Sequence, residues 1–533
     1  MNRSTSPPPA YALRTGTLIA GCLAVCVAQI GLAIPATLNG LLQTALHPIG
    51  SQLTWISDAF LLPVTVLELT FGVLGDLFGR KRLLIGGAVL VAAGELCASL
   101  ASGVHVLWLG QALAGLGAAA LFPTSLAVIA AGTHTVRTRA SGIATWAAAL
   151  ASGGFLAPII GGLAGNYASW RWAFVIVLAI AVASAVVSAS LASDSRSPQG
   201  RSLDYGGQVT ILVGLFALLY AVIQGPSDGW TAPSVVIAFV VAAVFLALFV
   251  LAEHRARAPM LRLELFRNRT FTIASITTVI GMFSFLGTAY TTSIRLGPIQ
   301  HQSPLHTTVG LIPSTIFTVL LAPITSRLLE RVNPRWLLSG GLLLIGAGDL
   351  FAATVDIDNR AWNALLLPLI LVGIGFALTV SSITATTVNT VPTHFAGMAS
   401  ASTSLLRDLG FTLGPAIIGS IALSRAASVF TTNLAASSLP AGAKGAAGAL
   451  AREGGPLAVN SVPPASPPGA AASLAEHALA NGYSLGYLVC GLAALVACLL
   501  AAVAVPGRRV DALTAEPSPA QHPTAELAPN LST

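Results

Sequence analysis

The chain alternates long apolar runs with short polar segments from one end to the other. Runs of about 18 or more apolar residues are long enough to cross a bilayer as α-helices, so the repetition predicts an all-α integral membrane protein. The pattern predicts fourteen spans, at approximately 16–37, 56–75, 83–102, 106–131, 142–164, 173–191, 207–224, 233–252, 270–292, 306–326, 336–354, 362–385, 400–424 and 482–505.

Basic residues divide unequally between the two sets of loops that fourteen crossings create. One side receives most of the arginines, and the other side keeps only Arg171, Arg295, Arg360, Arg425, Lys444 and Arg452. Cytoplasmic loops are enriched in Lys and Arg, so the asymmetry predicts that both termini are cytoplasmic. The composition agrees, with 55% hydrophobic residues, 8% charged residues and a mean hydropathy of +0.81. The net charge of +7 follows from these loops and does not indicate nucleic acid.

An internal repeat divides the chain into two halves. The segment "GGFLAPIIGG" (153–162) is echoed by "GFTLGPAIIGS" (410–420), and "GVLGDLFGRKRLL" (72–84) is echoed more weakly by "SRLLERVNPRWLL" (326–338). Two six-helix bundles with two extra central spans explain both echoes. Internal repeats mark many transporters, which hold their substrate near the midplane between the halves.

The predicted organisation has five parts. They are a cytoplasmic N-terminus (1–15), an N-terminal bundle (16–191), a linker with two extra spans (192–269), a C-terminal bundle (270–505) and a cytoplasmic tail (506–533). The C-terminal bundle contains an external segment (426–480) rich in Ala, Pro, Gly and Ser, which is predicted to be disordered or loosely helical. The tail is predicted to be disordered.

The loop after the second span, "GVLGDLFGRKR", has a physical logic of its own. Gly79 allows a tight turn, and Asp76 at a membrane edge can pair with a basic side chain or a helix N-terminus. A pair that forms in one conformation and breaks in another acts as a latch. Positive-inside anchoring is the alternative role for Arg80 and its two basic neighbours.

On these motifs the chain resembles the major facilitator superfamily, and specifically its fourteen-helix drug:proton antiporter branch, over nearly the whole length. The loop is similar to the family pattern G-x-L-x-D-x-x-G-R-[RK]-x, and "GGFLAPIIGG" to the antiporter motif G-x-x-x-G-P-x-x-G-G, with Ala157 for the second glycine. The resemblance implies a conformational latch formed by Asp76, Gly79, Arg80 and Arg139. It implies close helix packing at Gly153, Pro158, Gly161 and Gly162, for which ordinary small-residue packing is the alternative.

Two groups that the family associates with proton coupling are missing. Cys26 stands where helix 1 of the family carries an acid, and Gln111 where helix 4 carries an arginine. Other charged residues inside the spans are therefore the candidates for proton or substrate binding. A charge at the bilayer centre costs at least about 2.5 kcal/mol, so each must face a cavity, pair or stay protonated. These candidates are Glu68, Glu95, Asp349, Arg407 and Asp408.

The resemblance and the buried acids together predict a secondary active transporter, a proton-coupled exporter of small amphipathic drugs or antibiotics that works by alternating access. A dedicated exporter of one metabolite and a non-transporting membrane sensor are the alternatives. Nothing resembles a catalytic constellation or an ATP-binding G-x-x-x-x-G-K-[ST] element, so no enzyme is expected. The cysteines show no metal-ligand spacing, and no cofactor is expected. The expected partners are a small-molecule substrate, protons and the lipid bilayer of a bacterial plasma membrane, with the monomer usual for this fold.

Overall fold

The computed structural model describes residues 15–49, 51–133, 136–196, 203–256, 259, 261, 263–361, 363–389 and 396–504. Sixteen α-helices account for most of these residues. Their bounds are α1 Thr15–Leu46, α2 Gln52–Phe78, α3 Arg80–Ser99, α4 Val104–Ala131, α5 Val136–Tyr167, α6 Trp170–Leu191, α7 Tyr205–Asp228, α8 Pro233–Arg255, α9 Arg269–Ile294, α10 Pro304–Leu320, α11 Ala322–Arg331, α12 Pro334–Thr354, α13 Leu366–Asn389, α14 Ala396–Ala436, α15 Ala441–Asn460 and α16 Ala472–Ala504.

The described residues provide thirteen or fourteen candidate spans, compared with the fourteen predicted from the sequence. Thirteen helical stretches are long and apolar enough to cross a membrane, and α10 with α11, bent by 42°, makes a fourteenth when the pair is counted as one span. Pro323, near the start of α11, lies at this bend. Its ring removes a backbone donor and clashes with the preceding turn, which is a common cause of such a break. We call the side on which α1 begins and α16 ends the terminus side, and the opposite side the far side.

Polar residues mark where several helices begin. Asp204, Asn268 and Asn333 precede α7, α9 and α12, and each side chain accepts a hydrogen bond from a backbone N–H of the first turn, at 2.8, 2.9 and 3.0 Å. The first turn of a helix leaves such donors without internal partners, so these caps stabilise the helix starts. Prolines at the first position of α8, α10 and α12 act in the same direction.

The helices form two bundles, α1–α6 and α9–α14 with α16, as the internal repeat predicts. In each bundle, two helices cross at a pair of glycines, and the two crossings are equivalent. A Cβ on Gly117 of α4 would lie 2.5 Å from the carbonyl oxygen of Gly87 on α3, and a Cβ on Gly375 of α13 would lie 2.5 Å from that of Gly341 on α12. Gly87 and Gly341 are 254 positions apart, the same offset as the weaker sequence echo. The repeat therefore preserves a close backbone contact, which helices in lipid achieve with small residues.

Substitution of Gly87 by valine should reduce the amount of folded protein. The new Cβ would lie 2.9 Å from the carbonyl oxygen of Gly117, so α3 and α4 must separate, at a cost of about 1–3 kcal/mol. Gly86→Val is the matched control, because a Cβ at Gly86 has nothing within 4 Å. Thermal unfolding of the purified variants in detergent measures the difference, and equal midpoints would contradict the packing argument.

The two extra helices, α7 and α8, pack together and lie against the seam between α2 and α14. The hydrogen bonds join α7 to the N-terminal half. Gln208 donates to the carbonyl of Val66 at 3.0 Å and also bonds Thr70, while the Ser51 N–H donates to Ser227 at 3.1 Å. Towards α14 the contacts of α7 are apolar. The hairpin is thus fastened to α2 and touches α14 through an apolar surface.

The segment 426–480, for which disorder and loose helix are the two predicted states, is largely helical. Helix α14 continues to Ala436, α15 follows, and Phe430 packs with Val459 in a separate apolar cluster. Asn460 at the end of α15 donates to the carbonyls of Pro298 and Ile299 at 3.1 and 3.2 Å. The segment thus forms a small apolar cluster of its own and is tied through Asn460 to the turn that follows α9.

Candidate functional site

The loop between α2 and α3 combines an ion pair with a tight turn that favours glycine. Gly79 has φ +109°, a conformation that side-chain-bearing residues rarely adopt. Arg80 donates to the same carboxylate oxygen of Asp76 from Nη2 at 2.7 Å and from Nε at 3.1 Å. The backbone N–H of Arg80 also donates to the carbonyl of Ser195, after α6, at 3.1 Å. Asp76, Gly79 and Arg80 therefore lie together within the N-terminal half, and their role as a latch stays a prediction.

Arg139, the latch partner predicted by resemblance, lies on α5. Its side chain is outside the part of the structure that is described. Its pairing with Asp76 remains a prediction.

The glycines and the proline of the antiporter-like motif on α5 contact two helices, α1 and α10. A Cβ on Gly153 would lie 2.6 Å from the carbonyl oxygen of Cys26, and one on Gly161 would lie 2.9 Å from Cβ of Thr37, so this face of α5 lies directly on α1. One turn away, Thr308 of α10 donates to the carbonyl of Pro158 at 2.7 Å, and Gly162 faces the same threonine. The motif thus packs α5 within its bundle and also contacts the other half.

A group of three charged side chains crosses the plane between the halves. Arg407 of α14 lies with Nη2 3.8 Å from Oε2 of Glu68 on α2, and its Nε donates to Oδ1 of Asp408 at 2.9 Å. The side chains of Glu68 and Asp408 are each 6% exposed, while that of Arg407 is 25% exposed. The carboxyl groups of Glu68 and Asp408 are also close enough to act on each other electrostatically. We call these three side chains the triad; it carries no net charge when one of the two acids holds a proton.

Threonines support the triad on its far-side flank. Thr65, one turn before Glu68, bonds Thr412 at 2.6 Å and donates to the carbonyl of Asp408 at 3.1 Å. All three residues are buried. These bonds align α2 with α14, so the triad is held between two helices of different halves.

Glu95 and Asp349 are related by the internal repeat, because they lie 254 positions apart on α3 and α12. Both are fully buried, and each faces the first helix of its own bundle. Oε1 of Glu95 lies 3.0 Å from the position of a Cβ on Gly31, and Thr288 donates to Asp349 at 2.6 Å. These acids therefore occupy equivalent positions inside single bundles, unlike the triad.

The family's helix 1 acid and helix 4 arginine are absent from this chain, and the residues at those two positions, Cys26 and Gln111, carry no charge. Gln111 is fully buried, and neither polar atom of its side chain has a hydrogen-bond partner among the described residues. Cys26 lies against Gly153 through its backbone. The charged groups that the structure brings together across the two halves lie on α2 and α14 instead.

On the far side the two halves are in close contact, at what we call the far-side gate. A Cβ on Gly40 of α1 would lie 2.8 Å from the Cα of Gly297, in the π-turn Arg295–Ile299 that follows α9. Asn39 donates to Ser293 at 2.8 Å. Thr54 of α2 bonds the hydroxyl of Tyr290 of α9 at 2.8 Å. These contacts close the far side of the interface.

Asp58 is a candidate proton-binding residue that the sequence analysis did not identify. It is fully buried on α2, one turn beyond Thr54, and neither carboxylate oxygen has a hydrogen-bond partner among the described residues. A signal existed, because Thr54, Asp58, Thr65, Glu68 and Asp76 recur at helical spacing and lie within one narrow arc of α2. We call this row the polar stripe.

Two repeat-related bundles, a polar stripe between them and a gate closed on one side define a transporter of the alternating-access class. The chain belongs to the Major Facilitator Superfamily, whose family model matches residues 21–415. It is a multi-pass membrane protein.

The chain is similar to transporters of known name. It is 31% identical to the multidrug resistance protein Stp of Mycobacterium tuberculosis, over 69% of this chain and 68% of that protein. It is 28% identical to the tetracenomycin C resistance and export protein of Streptomyces glaucescens, over 93% of this chain and 92% of that one. The crystal structure of a peptide transporter, POT, superposes with a TM-score of 0.61 over 94% of this chain and 96% of that chain, at 16% identity. At that identity the likeness concerns the fold alone.

Proposed function

We propose that this protein exports small amphipathic drugs or antibiotics from the cell in exchange for protons, by alternating access. The triad carries the proposal, because it places two carboxyl groups and one guanidinium in the interface that must rearrange during transport. The names of the relatives support export as the direction and antibiotics as the substrate class. The protein works as a monomer in the bacterial plasma membrane, with both termini in the cytoplasm.

Proton exchange at the triad follows from its charges. With one proton it is neutral and is tolerated between apolar helices. Loss of that proton leaves two carboxylates against one guanidinium, an arrangement that water or a cationic substrate must stabilise. Ionised Glu68 also attracts Arg407 across the interface, so protonation changes the force that holds α2 to α14. Proton binding and the opening of the terminus side are thereby linked.

The remaining candidates have supporting roles in this proposal. Asp76, Gly79 and Arg80 form the latch at the cytoplasmic rim, where Arg139 is the second partner of Asp76. Glu95 and Asp349 position α1 and α9 inside their bundles. Gly153 and Gly161 keep α5 on α1 while the halves move.

A narrower function is favoured by one observation. The tetracenomycin C resistance and export protein matches over nearly the whole length of both chains. This second candidate is a dedicated exporter of a single antibiotic or metabolite. Resistance measured across a broad drug panel separates the two, because the dedicated exporter protects against one chemical class alone.

Proton flux in inside-out vesicles tests the proposal. Vesicles that contain the protein are energised to acidify their lumen, and a pH-sensitive dye is quenched. Addition of cationic and neutral drugs should then reverse the quenching for substrates, because each imported drug molecule drives protons out. Vesicles without the protein are the control. A panel that includes the resistance substrates of this protein and gives no reversal would contradict proton exchange, as would drug transport that ignores the pH gradient.

A further inference from the structure

We propose that Asp58 is a second proton-binding site of this transporter, placed so that the far-side gate closes only when this carboxyl carries a proton. The inference deepens the proposed function and rests on it for the direction of proton movement. It concerns a different residue, on the opposite flank of the interface from the triad.

The position of Asp58 supports the first step. Thr54 forms part of the gate through its 2.8 Å bond to Tyr290, and Asp58 lies one turn further along the same face of α2, about 6 Å inward. Its carboxyl is near enough to the Tyr290 hydroxyl to act on it electrostatically, and the ring of Tyr290 lies 6.5 Å from that of Tyr483 on α16, measured between centroids. Asp58 therefore lies directly beneath the gate, between the N-terminal half and two helices of the C-terminal half.

The surroundings of Asp58 in the closed gate supply the second step. The residue is 0% exposed, and neither carboxylate oxygen has a hydrogen-bond partner among the described residues. Among the described residues, the titratable group that acts on it is the hydroxyl of Tyr290, which is not a cation. An ionised carboxylate without a cation or hydrogen-bond donor is very unfavourable in such a place. The closed gate therefore contains the neutral acid.

Opening of the gate supplies the third step. Separation of Thr54 from Tyr290 exposes the same carboxyl to water on the far side, where the ionised form is stable. A proton must then bind from the far side before the halves can close again. Asp58 lies ten residues before Glu68, or about 15 Å along the helix, on the same face. The polar stripe thus carries one acid beneath the gate and another in the triad.

The ligand of this site is a proton rather than the exported compound. Asp58 is fully buried, and the gate beside it is tightly packed: a Cβ on Gly419 would lie 3.0 Å from the Thr54 hydroxyl and 3.3 Å from that of Tyr290. A proton needs no added volume, whereas an organic cation does. The site also differs from the triad, since none of the described guanidinium groups is paired with Asp58.

Distance measurements across the far side test the inference without any substrate. Spin labels are placed at Tyr167, the last residue of α5, and at Leu367, near the start of α13, which are 76% and 54% exposed. The native cysteines are first replaced, and the labelled protein is studied in lipid nanodiscs over a range of pH. The wild type should show mainly the short distance at acidic pH and a growing population at a longer distance at alkaline pH. The ratio of the two populations should change by at least about tenfold.

Two variants decide the outcome. Asp58→Asn cannot ionise, so it should show the short distance at every pH, whereas Asp58→Glu should keep the pH dependence. Glu253→Gln is the control, because it removes another buried acid, on α8 and away from the gate. A pH dependence that survives in Asp58→Asn, or that is absent from the wild type, would overturn the assignment. Loss of the pH dependence in Glu253→Gln would show that the effect is not specific to Asp58, and would equally overturn it.

Drug-driven proton flux with the wild type separates this inference from the proposed function. Flux with the wild type and a pH-independent gate would leave an antiporter whose coupling lies at the triad alone. A gate controlled by Asp58 without drug-driven flux would retain the proton site and refute the export function. Proteoliposomes that contain pyranine, a pH-sensitive dye, provide this measurement.

Discussion

Glu68→Gln is expected to abolish drug-driven proton flux while folded protein and drug exchange are retained. Glutamine keeps the shape of the side chain between α2 and α14, but it cannot release a proton and does not attract Arg407 as a carboxylate does. Flux measured by the dye should fall to the level of protein-free liposomes. Exchange of labelled for unlabelled drug at equal pH on both sides should continue, because that exchange requires no net proton movement.

Glu253→Gln is the matched control for this prediction. Glu253 is also buried, with 3% exposure, but it lies on α8 and accepts a hydrogen bond from the backbone of Leu261 at 3.0 Å. A glutamine can accept the same bond, so both activities should persist. Normal proton flux in Glu68→Gln would move the proton site away from Glu68, and Asp408→Asn would be the next variant to measure.

Gly40→Val is expected to abolish transport completely. The cause differs from that in Glu68→Gln, because this substitution prevents closure of the far-side gate and leaves the proton-binding groups unchanged. The new Cβ would lie 2.8 Å from the Cα and 3.1 Å from the carbonyl carbon of Gly297, and backbone atoms cannot turn aside as a side chain can. The far side therefore cannot close, and the transporter remains open there. Both net transport and drug exchange should be lost, which distinguishes this variant from Glu68→Gln.

Gly340→Val is the control for the gate prediction. Gly340 lies in the membrane-spanning helix α12, and a Cβ there has nothing within 4 Å. Transport should be unchanged in this variant. The distance between labels at Tyr167 and Leu367 should become longer in Gly40→Val alone. Retained drug exchange in Gly40→Val would show that the contact with Gly297 is not required for transport.

The latch and the triad show how much of the candidate site can be predicted from the sequence. The motif around Asp76 was identified from local spacing, and its pair with Arg80 is a contact over four residues, which spacing predicts well. Glu68, Arg407 and Asp408 were each singled out because a charge inside an apolar run is costly. The association of Glu68 with Arg407 and Asp408 was not predicted. Glu68 and Arg407 are remote in the chain, and only the packing of α2 against α14 brings them together.

Asp58 and the segment 426–480 show where local pattern was insufficient. Asp58 lies in a predicted span like the other acids, but its significance depends on Tyr290, a residue of the other half. The segment 426–480 has the composition of a disordered region, yet Val459 packs with Phe430 inside it and Asn460 bonds the remote carbonyl of Pro298. Composition reports the tendency of a segment alone, whereas its final state depends on the apolar surface that its neighbours offer.

The amino-acid sequence by itself determined the class, the number of spans, the internal repeat and the positions of the costly charges. These properties depend on the length of apolar runs and on spacing within one helix, which are local. The tertiary structure alone decided that Glu68 meets Arg407, that Asp58 lies beneath a closed gate and that Gly40 touches Gly297. Those contacts join helices of different halves, and their geometry follows from how the two bundles pack against each other rather than from any one segment.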